Sequence, residues 1–239
     1  MLLDGGASPN SLGPGNQSII WRLLQRIRGG GRAGAAEGNE DETSPEHTRI
    51  ICLLIEAGAD VTAPQGRLEI TPLHEASRLG LNSIVELMLS HTCKESLEKP
   101  IWAGHTPLFF AAQGGRLETV RLLIDEHGAN IFARTAANEH LLFAAAAYPE
   151  VLRFLLGLKD ERPETASTRT VPRFSLAAGL GQSESTKLLL RRGAKQFIAN
   201  AVFDNLHDLK EGKNYRQGTP AGVARQRGHK RIAETIEGW

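Results

Sequence analysis

The chain has 239 residues, of which 41% are hydrophobic and 23% charged, an ordinary globular composition with enough apolar material for a sizeable core. Its 28 basic and 27 acidic residues leave a formal charge of +1, which excludes a strong overall field for nucleic acid or anionic membranes. The 2 cysteines are too few for a secreted disulfide scaffold, so we expect the cytoplasm or the nucleus.

The N-terminal region lacks the features of a targeting segment. Met1–Gly6 has no basic stretch followed by an apolar one, as a signal peptide would have. No apolar run in the sequence approaches the roughly 18–20 residues that a bilayer-spanning helix needs. We therefore predict neither a signal peptide nor a transmembrane segment.

Two apolar segments flank a polar stretch before residue 61. In Gln17–Arg28, apolar residues alternate with arginines at helical spacing, which predicts a helix. Gly29–Ser44 is rich in Gly and Glu and low in apolar bulk, which predicts a disordered insertion. Pro45–Val61 is apolar again and predicts the partner helix. Such an insertion between two helices costs little, since loop-closure entropy grows only logarithmically with length.

A motif then occurs twice, as Thr71-Pro72-Leu73-His74-Glu75-Ala76 and as Thr106-Pro107-Leu108-Phe109-Phe110-Ala111. A threonine can cap a helix with its hydroxyl, and a proline fits the first helical position. A glycine ends each predicted helix, and a second apolar segment follows. Helices this short are marginal alone in water, so they require stacking on similar neighbours.

Weaker copies of the motif continue along the chain. One begins at Glu139 and the next at Pro172, both at steps of 33 residues, and Thr219-Pro220-Ala221 begins a last one. The longer step before Thr219 places extra residues near Gln196–Gly218.

These motifs resemble the ankyrin repeat, whose signature is T-P-L-H-x-A with a period of about 33 residues. The resemblance implies an all-α solenoid of stacked antiparallel helix pairs joined by hairpin-like loops. It also implies that His74 braces neighbouring repeats through local hydrogen bonds. The predicted domains are a truncated repeat tail at 1–10, a degenerate repeat at 11–61 with an insertion at about 29–44, four repeats at 62–194, and an insertion with a C-terminal capping repeat at 195–239.

The sequence contains none of the catalytic or metal-binding motifs that we considered. It has no paired CxxC, no HExxH, no phosphate-binding loop and no Gly-x-Ser-x-Gly elbow. We therefore expect no enzyme activity, no metal and no cofactor.

The resemblance implies a protein-interaction module that binds its partner through the concave face and the loop tips of the array. We expect a monomer that binds no nucleic acid, and membrane binding is not favoured. Two alternatives stay open because Met1 falls in the middle of a repeat. In the first alternative, the chain is the ankyrin segment of a larger enzyme. In the second, it belongs to a membrane-associated scaffold that uses Gln17–Arg28 as an interfacial helix. In both, another domain of the protein is missing from this chain.

By the same resemblance, the binding residues lie in the tips before each motif and in the groove after its small residues. Trp102 is the strongest candidate, because tryptophan and arginine are enriched at interface hot spots. In the alternative interpretation, Trp102 folds back over the helix ends as local packing. The predicted residues are Trp102 and His105 in one tip, Arg67 with its neighbours Leu68 and Glu69 in the other, and Arg78, Leu79 and Gln113 in the groove.

We predict that Trp102→Ala weakens partner binding by at least about 2 kcal/mol, as the loss of a hot-spot side chain does. The melting temperature should stay nearly unchanged, because a side chain at a loop tip has little core to enter. Titration of the partner and a thermal melt of each variant test both halves. A large fall in melting temperature with unchanged affinity would show that Trp102 is structural.

Overall fold

The computed structural model describes residues 8–13, 15–30, 45–92, 95–101, 103–137, 139–158, 177–191, 206–207, 214–215 and 219–238. The chain forms two compact units, Met1–Leu141 and Leu142–Trp239. Of the predicted binding residues, Trp102 lies outside the described residues, as does most of the predicted insertion at about 29–44.

The first unit is built almost entirely of short helices. Its only strands in the described ranges are two-residue ones, which pair antiparallel ahead of the first helix. In chain order the elements are β1 (Leu12–Gly13), β2 (Gln17–Ser18), α1 (Ile19–Gly30), α2 (Pro45–Glu56), α3 (Pro72–Leu79), α4 (Asn82–Ser90), α5 (Glu95–Glu98), α6 (Pro107–Gln113) and α7 (Leu117–Arg121).

Hydroxyl side chains cap the first helix of each pair. The Oγ1 atoms of Thr71 and Thr106 accept from the backbone N–H groups three residues later, at 3.5 and 3.4 Å, and a proline opens each helix. Gly80, at φ 85°, adopts the left-handed conformation that ends α3. The sequence predicted both features.

Helix α1 begins two residues later than the sequence predicted. Gln17 and Ser18 pair with β1 as a strand instead. The hydroxyl of Ser18 accepts from the backbone N–H of Trp21 at 3.2 Å. Ser18 therefore caps α1 as the threonines cap α3 and α6, which places Trp21 at the position that His74 occupies in α3.

The helices form two stacked rows. Helix α1 packs on α3 and α3 on α6, while α2 packs on α4 and α4 on α7. The members of each pair, α1 with α2, α3 with α4 and α6 with α7, also contact each other. The unit is therefore a helical solenoid, as predicted.

Very close backbone approach holds α3 against α6. A Cβ atom added at Gly114 would lie 2.3 Å from the carbonyl oxygen of Arg78. Ala76, Ala111 and Ala112 are fully buried. Only small residues allow the two helices to come this near, which explains why the motif carries alanine and glycine where a bulkier residue would give more apolar area.

The second helix of the last pair contains a π-helical turn. After α7 the chain continues through Leu122–Glu126, and the N–H of His127 bonds to the carbonyl of Leu122 at 3.3 Å. Two residues separate Ile55 from Gly58, whereas three separate Ile124 from Gly128. The π turn absorbs this extra residue and keeps the apolar side chains facing the core.

The second unit is also built mainly of short helices in the residues that the structure describes. Its elements are α8 (Leu141–Ala145, starting at the last residue of the first unit), α9 (Pro149–Gly157), a helical stretch at 177–179, α10 (Ser183–Leu189), β3 (Leu206–His207), β4 (Asn214–Tyr215), α11 (Pro220–Gln226) and α12 (Lys230–Gly238). Thr219 caps α11 by accepting from the N–H of Gly222 at 3.2 Å. The pair β3–β4, antiparallel, falls within the stretch where the sequence predicted only extra residues.

Leu108 is 2% exposed, and Thr106 caps the helix that carries it. We predict that Leu108→Ala lowers the free energy of unfolding by roughly 2–5 kcal/mol, because it leaves a cavity in the core. Thr106→Ala should cost about 1 kcal/mol through the lost cap. Chemical denaturation measures both.

The matched control is Leu53→Ala, because Leu53 is 50% exposed on α2. It should change the free energy of unfolding by less than about 0.5 kcal/mol. Equal effects of the two leucine substitutions would contradict the assigned packing.

Candidate partner-binding surface

The tip before α3 is a short turn that is fixed at its base. Gln65 and Ile70 form a β-bridge, and Gly66 and Glu69 take left-handed φ values of 66° and 55°. Between them, the side chain of Leu68 is 53% exposed.

Gln65 anchors this tip to the preceding element. Its side chain is buried, with Oε1 accepting from the N–H of Ser18 at 3.1 Å and Nε2 donating to the carbonyl of Ala63 at 3.2 Å. The exposed residues Arg67, Leu68 and Glu69 are therefore presented on a backbone that is held at its base.

The tip before α6 is tied to its neighbours on both sides. The N–H of Ile101 donates to the carbonyl of His105 at 3.0 Å, which joins the two ends of this tip. The N–H of Ala136 donates to the carbonyl of Ala103 at 2.8 Å, so the following loop is bonded to this one. An added Cβ at Gly104 would lie 2.6 Å from the backbone N of Ala136, so the approach requires glycine.

The predicted tip residue His105 packs largely inward. Its side chain is 17% exposed, and its ring lies edge-on to Phe109 and Phe110 at centroid distances of 4.4 and 6.2 Å. Nε2 is 4.0 Å from Oε2 of Glu139 and has no hydrogen-bond partner within the described part of the chain. Burial lowers the pKa of the His105 imidazole. His105 therefore offers a partner only a small edge of its ring.

Two hydrogen bonds define the protonation of His74. Its Nδ1 lies 2.8 Å from the hydroxyl oxygen of Thr71, and its Nε2 lies 3.2 Å from the carbonyl oxygen of His105. Because a carbonyl oxygen only accepts, Nε2 carries the proton and Nδ1 accepts from the hydroxyl. Burial lowers the pKa of His74 from 6.5 to about 4. His74 is a neutral brace between α3 and the next tip.

One of the predicted groove residues, Arg78, pairs with a buried carboxylate that the sequence did not point to. Glu75 is 1% exposed, and its two oxygens accept from Nε and Nη2 of Arg78 at 2.9 and 2.7 Å. Arg28, at the end of α1, brings its Nη1 to within 3.8 Å of the same carboxylate. Glu75 and its equivalent Phe110 occupy one slot of the motif, so comparing the copies slot by slot would have singled it out.

The structure brings some predicted binding residues together and separates others. Gln113 adjoins Gly114, whose backbone meets the carbonyl of Arg78, so Gln113 and Arg78 are neighbours. Leu79 and Gln113 are half-buried. Arg67 precedes the N-terminus of α3, whereas Arg78 lies in its last turn, about 10 Å further along the helix. The tips and the groove are thus two regions joined by the first helices.

Comparison with protein families shows where the repeat is recognisable. Residues 42–135 match the family model for ankyrin repeats, in 3 copies. The match ends before the weaker copies that we predict at Glu139, Pro172 and Thr219. Within the described ranges, no helix is long and apolar enough to cross a membrane. Among the same residues, no group of 3 or more His, Cys, Asp or Glu side chains could hold a metal ion.

The imidazole of His74 binds a proton more readily in the unfolded chain, where its pKa is near 6.5, than in the fold, where it is about 4. Stability from this group is therefore present above the unfolded pKa and is lost as the pH falls toward the folded pKa. We expect this group to lower the free energy of unfolding by about 2 kcal/mol between pH 7 and pH 5.

Chemical denaturation at a series of pH values tests this expectation against a His74→Gln variant. The variant should be less stable at pH 7, because it loses the hydrogen bonds of the ring. Its stability should change less over the same pH window. Parallel pH profiles for the two proteins would show that another group is responsible.

Proposed function

Because the chain is an ankyrin repeat protein by its match over residues 42–135, we propose that it binds another protein through the loop tips and the groove side of its helix array. Ankyrin repeats are generally protein-interaction modules, and they are typically non-catalytic. The proposal places the protein in the cytoplasm or the nucleus, because its 2 cysteines suit a reducing compartment.

The main support for this proposal is the tip before α3, which exposes an apolar side chain. Leu68 exposes 53% of its surface at a turn whose base is hydrogen-bonded and whose neighbours Arg67 and Glu69 are charged. A large apolar side chain ringed by charge gains free energy when a partner covers it. Because the turn is already ordered, binding loses little conformational entropy.

The backbone of the same turn supports the proposal. Glu69 has a φ of 55°, which is uncommon for a residue with a side chain and costs of order 1 kcal/mol. The hydrogen bonds of Gln65 and the bridge to Ile70 maintain this conformation. The turn thereby holds the three tip side chains in one fixed arrangement.

We predict that Leu68→Ser reduces recovery of the partner about tenfold, the loss expected when one buried leucine contact is removed. Affinity purification with the full chain, followed by quantitative mass spectrometry, compares the variant with the wild type. Leu53→Ser is the matched control, because Leu53 is 50% exposed on α2, in the row of second helices.

The control should recover the same proteins as the wild type, and both variants should keep the wild-type melting temperature. If Leu68→Ser and Leu53→Ser recover every specific protein equally well, the tip is not the binding surface.

A further inference from the structure

Three arginine side chains form a row along the ends of the first helices. Arg28 lies near the end of α1, Arg78 in the last turn of α3, and Arg116 in the link after α6, directly before α7. Arg28 and Arg78 approach the same Oε1 atom of Glu75, at 3.8 and 2.7 Å. Arg116 donates from Nε to the carbonyl of Arg78 at 3.3 Å. These contacts join three successive helix pairs, and we refer to the three residues as the arginine row.

Glu75 neutralises only part of this row. Its buried carboxylate makes a two-pronged pair with Arg78, the strongest geometry that these groups allow. The contact of Arg28 to the same carboxylate, at 3.8 Å, is too long for a hydrogen bond, and the Arg28 side chain is 57% exposed. Among the residues that the structure describes, the row therefore has more positive than negative charge, and 57% of the Arg28 side chain is exposed.

Arg116 is held in place by packing. An added Cβ at Gly80 would lie 2.8 Å from Cδ of Arg116, so the aliphatic part of this side chain covers the end of α3. Its one hydrogen bond to the described residues uses Nε, which leaves the outer nitrogens of the guanidinium for another acceptor. A side chain that is already ordered loses less entropy on binding.

We propose that the arginine row binds an acidic segment, rich in Asp and Glu, of the protein partner; this inference rests on the proposed function. The planar donors of arginine match carboxylates. Packed helices lie roughly 8–10 Å apart, and a chain in the polyproline II conformation advances about 3.1 Å per residue, with every third side chain on the same side. An acidic residue at every third position would therefore meet one arginine after another.

A nucleic acid fits the row less well than an acidic peptide does. Binding of single strands relies on exposed aromatic rings that stack with the bases. In the part of the chain that the structure describes, the large hydrophobic side chains that are exposed are all aliphatic, namely Leu12, Ile50, Leu53 and Leu68. The row thus supplies charge without a stacking surface.

Fluorescence anisotropy with the full chain tests the proposal. The probe is a labelled peptide of repeated Glu-Gly-Ser units, and the reference peptide has Gln in place of Glu. The acidic peptide should bind, with an affinity that falls as salt is raised, and the reference peptide should not. Arg28→Gln and Arg116→Gln should each weaken binding about fivefold, the upper range for an exposed ion pair.

Arg121→Gln is the matched control, because Arg121 is 49% exposed on α7, in the row of second helices. It should leave binding of the peptide unchanged. Equal loss with all three variants, or no binding of the acidic peptide, would overturn the proposal. The proposal would also be overturned if a labelled oligothymidylate bound more tightly than the peptide and the same variants weakened its binding.

The two proposals can fail separately. If Leu68→Ser abolishes recovery of the partner while Arg28→Gln leaves both recovery and peptide binding unchanged, the proposed function stands and the arginine row has no part in it. If the peptide binds the row but Leu68→Ser recovers every protein, the row is the docking site and the tip is not.

Discussion

The structure depends on a length constraint, because its helices are too short to persist alone. Helix α3 has 8 residues and α6 has 7, whereas isolated helices in water need about 12–15. Each helix therefore forms only against the next, and small residues permit the required approach. The backbone at Gly114 meets the carbonyl of Arg78, and the ring of His74 spans from α3 to the next tip. Each repeat is thus folded only while it packs on its neighbours.

The same constraint shapes the surface that a partner can reach. Side chains that brace one repeat on the next cannot also extend into solvent, as His105 shows with its inward-facing ring. Two sets of available side chains lie at the two ends of the first helices. At one end is the apolar tip with Leu68, and at the other is the arginine row. A partner that follows a first helix from end to end would meet apolar surface first and then positive charge.

The sequence predicted the fold well because its determinants are local. Threonine caps, prolines at the first helical position and terminal glycines act within a few residues, so Thr71 and Thr106 were interpreted correctly. The cap at Ser18 was missed because it depends on β1 pairing with β2, a contact that helical periodicity does not encode. The environments of Glu75 and His105 were missed for a similar reason. Exposure of a motif residue depends on its neighbours in the fold: Arg28, which approaches Glu75, comes from the preceding repeat, and the ring of His105 turns inward onto Phe109 in the helix that follows it.

The side chain of Gln65 links the tip before α3 to the strand β2 that precedes α1. Its Oε1 atom needs the N–H of Ser18, which exists in the right place only while β2 and the start of α1 are folded. If α1 opens by local unfolding, the tip with Leu68 loses its anchor and must be ordered again by the partner. The apparent affinity at the tip scales with the fraction of molecules in which α1 is closed. It would therefore fall as α1 opens, without any change in the residues that touch the partner. A ligand that stabilises α1 would in this way tighten binding at a distance.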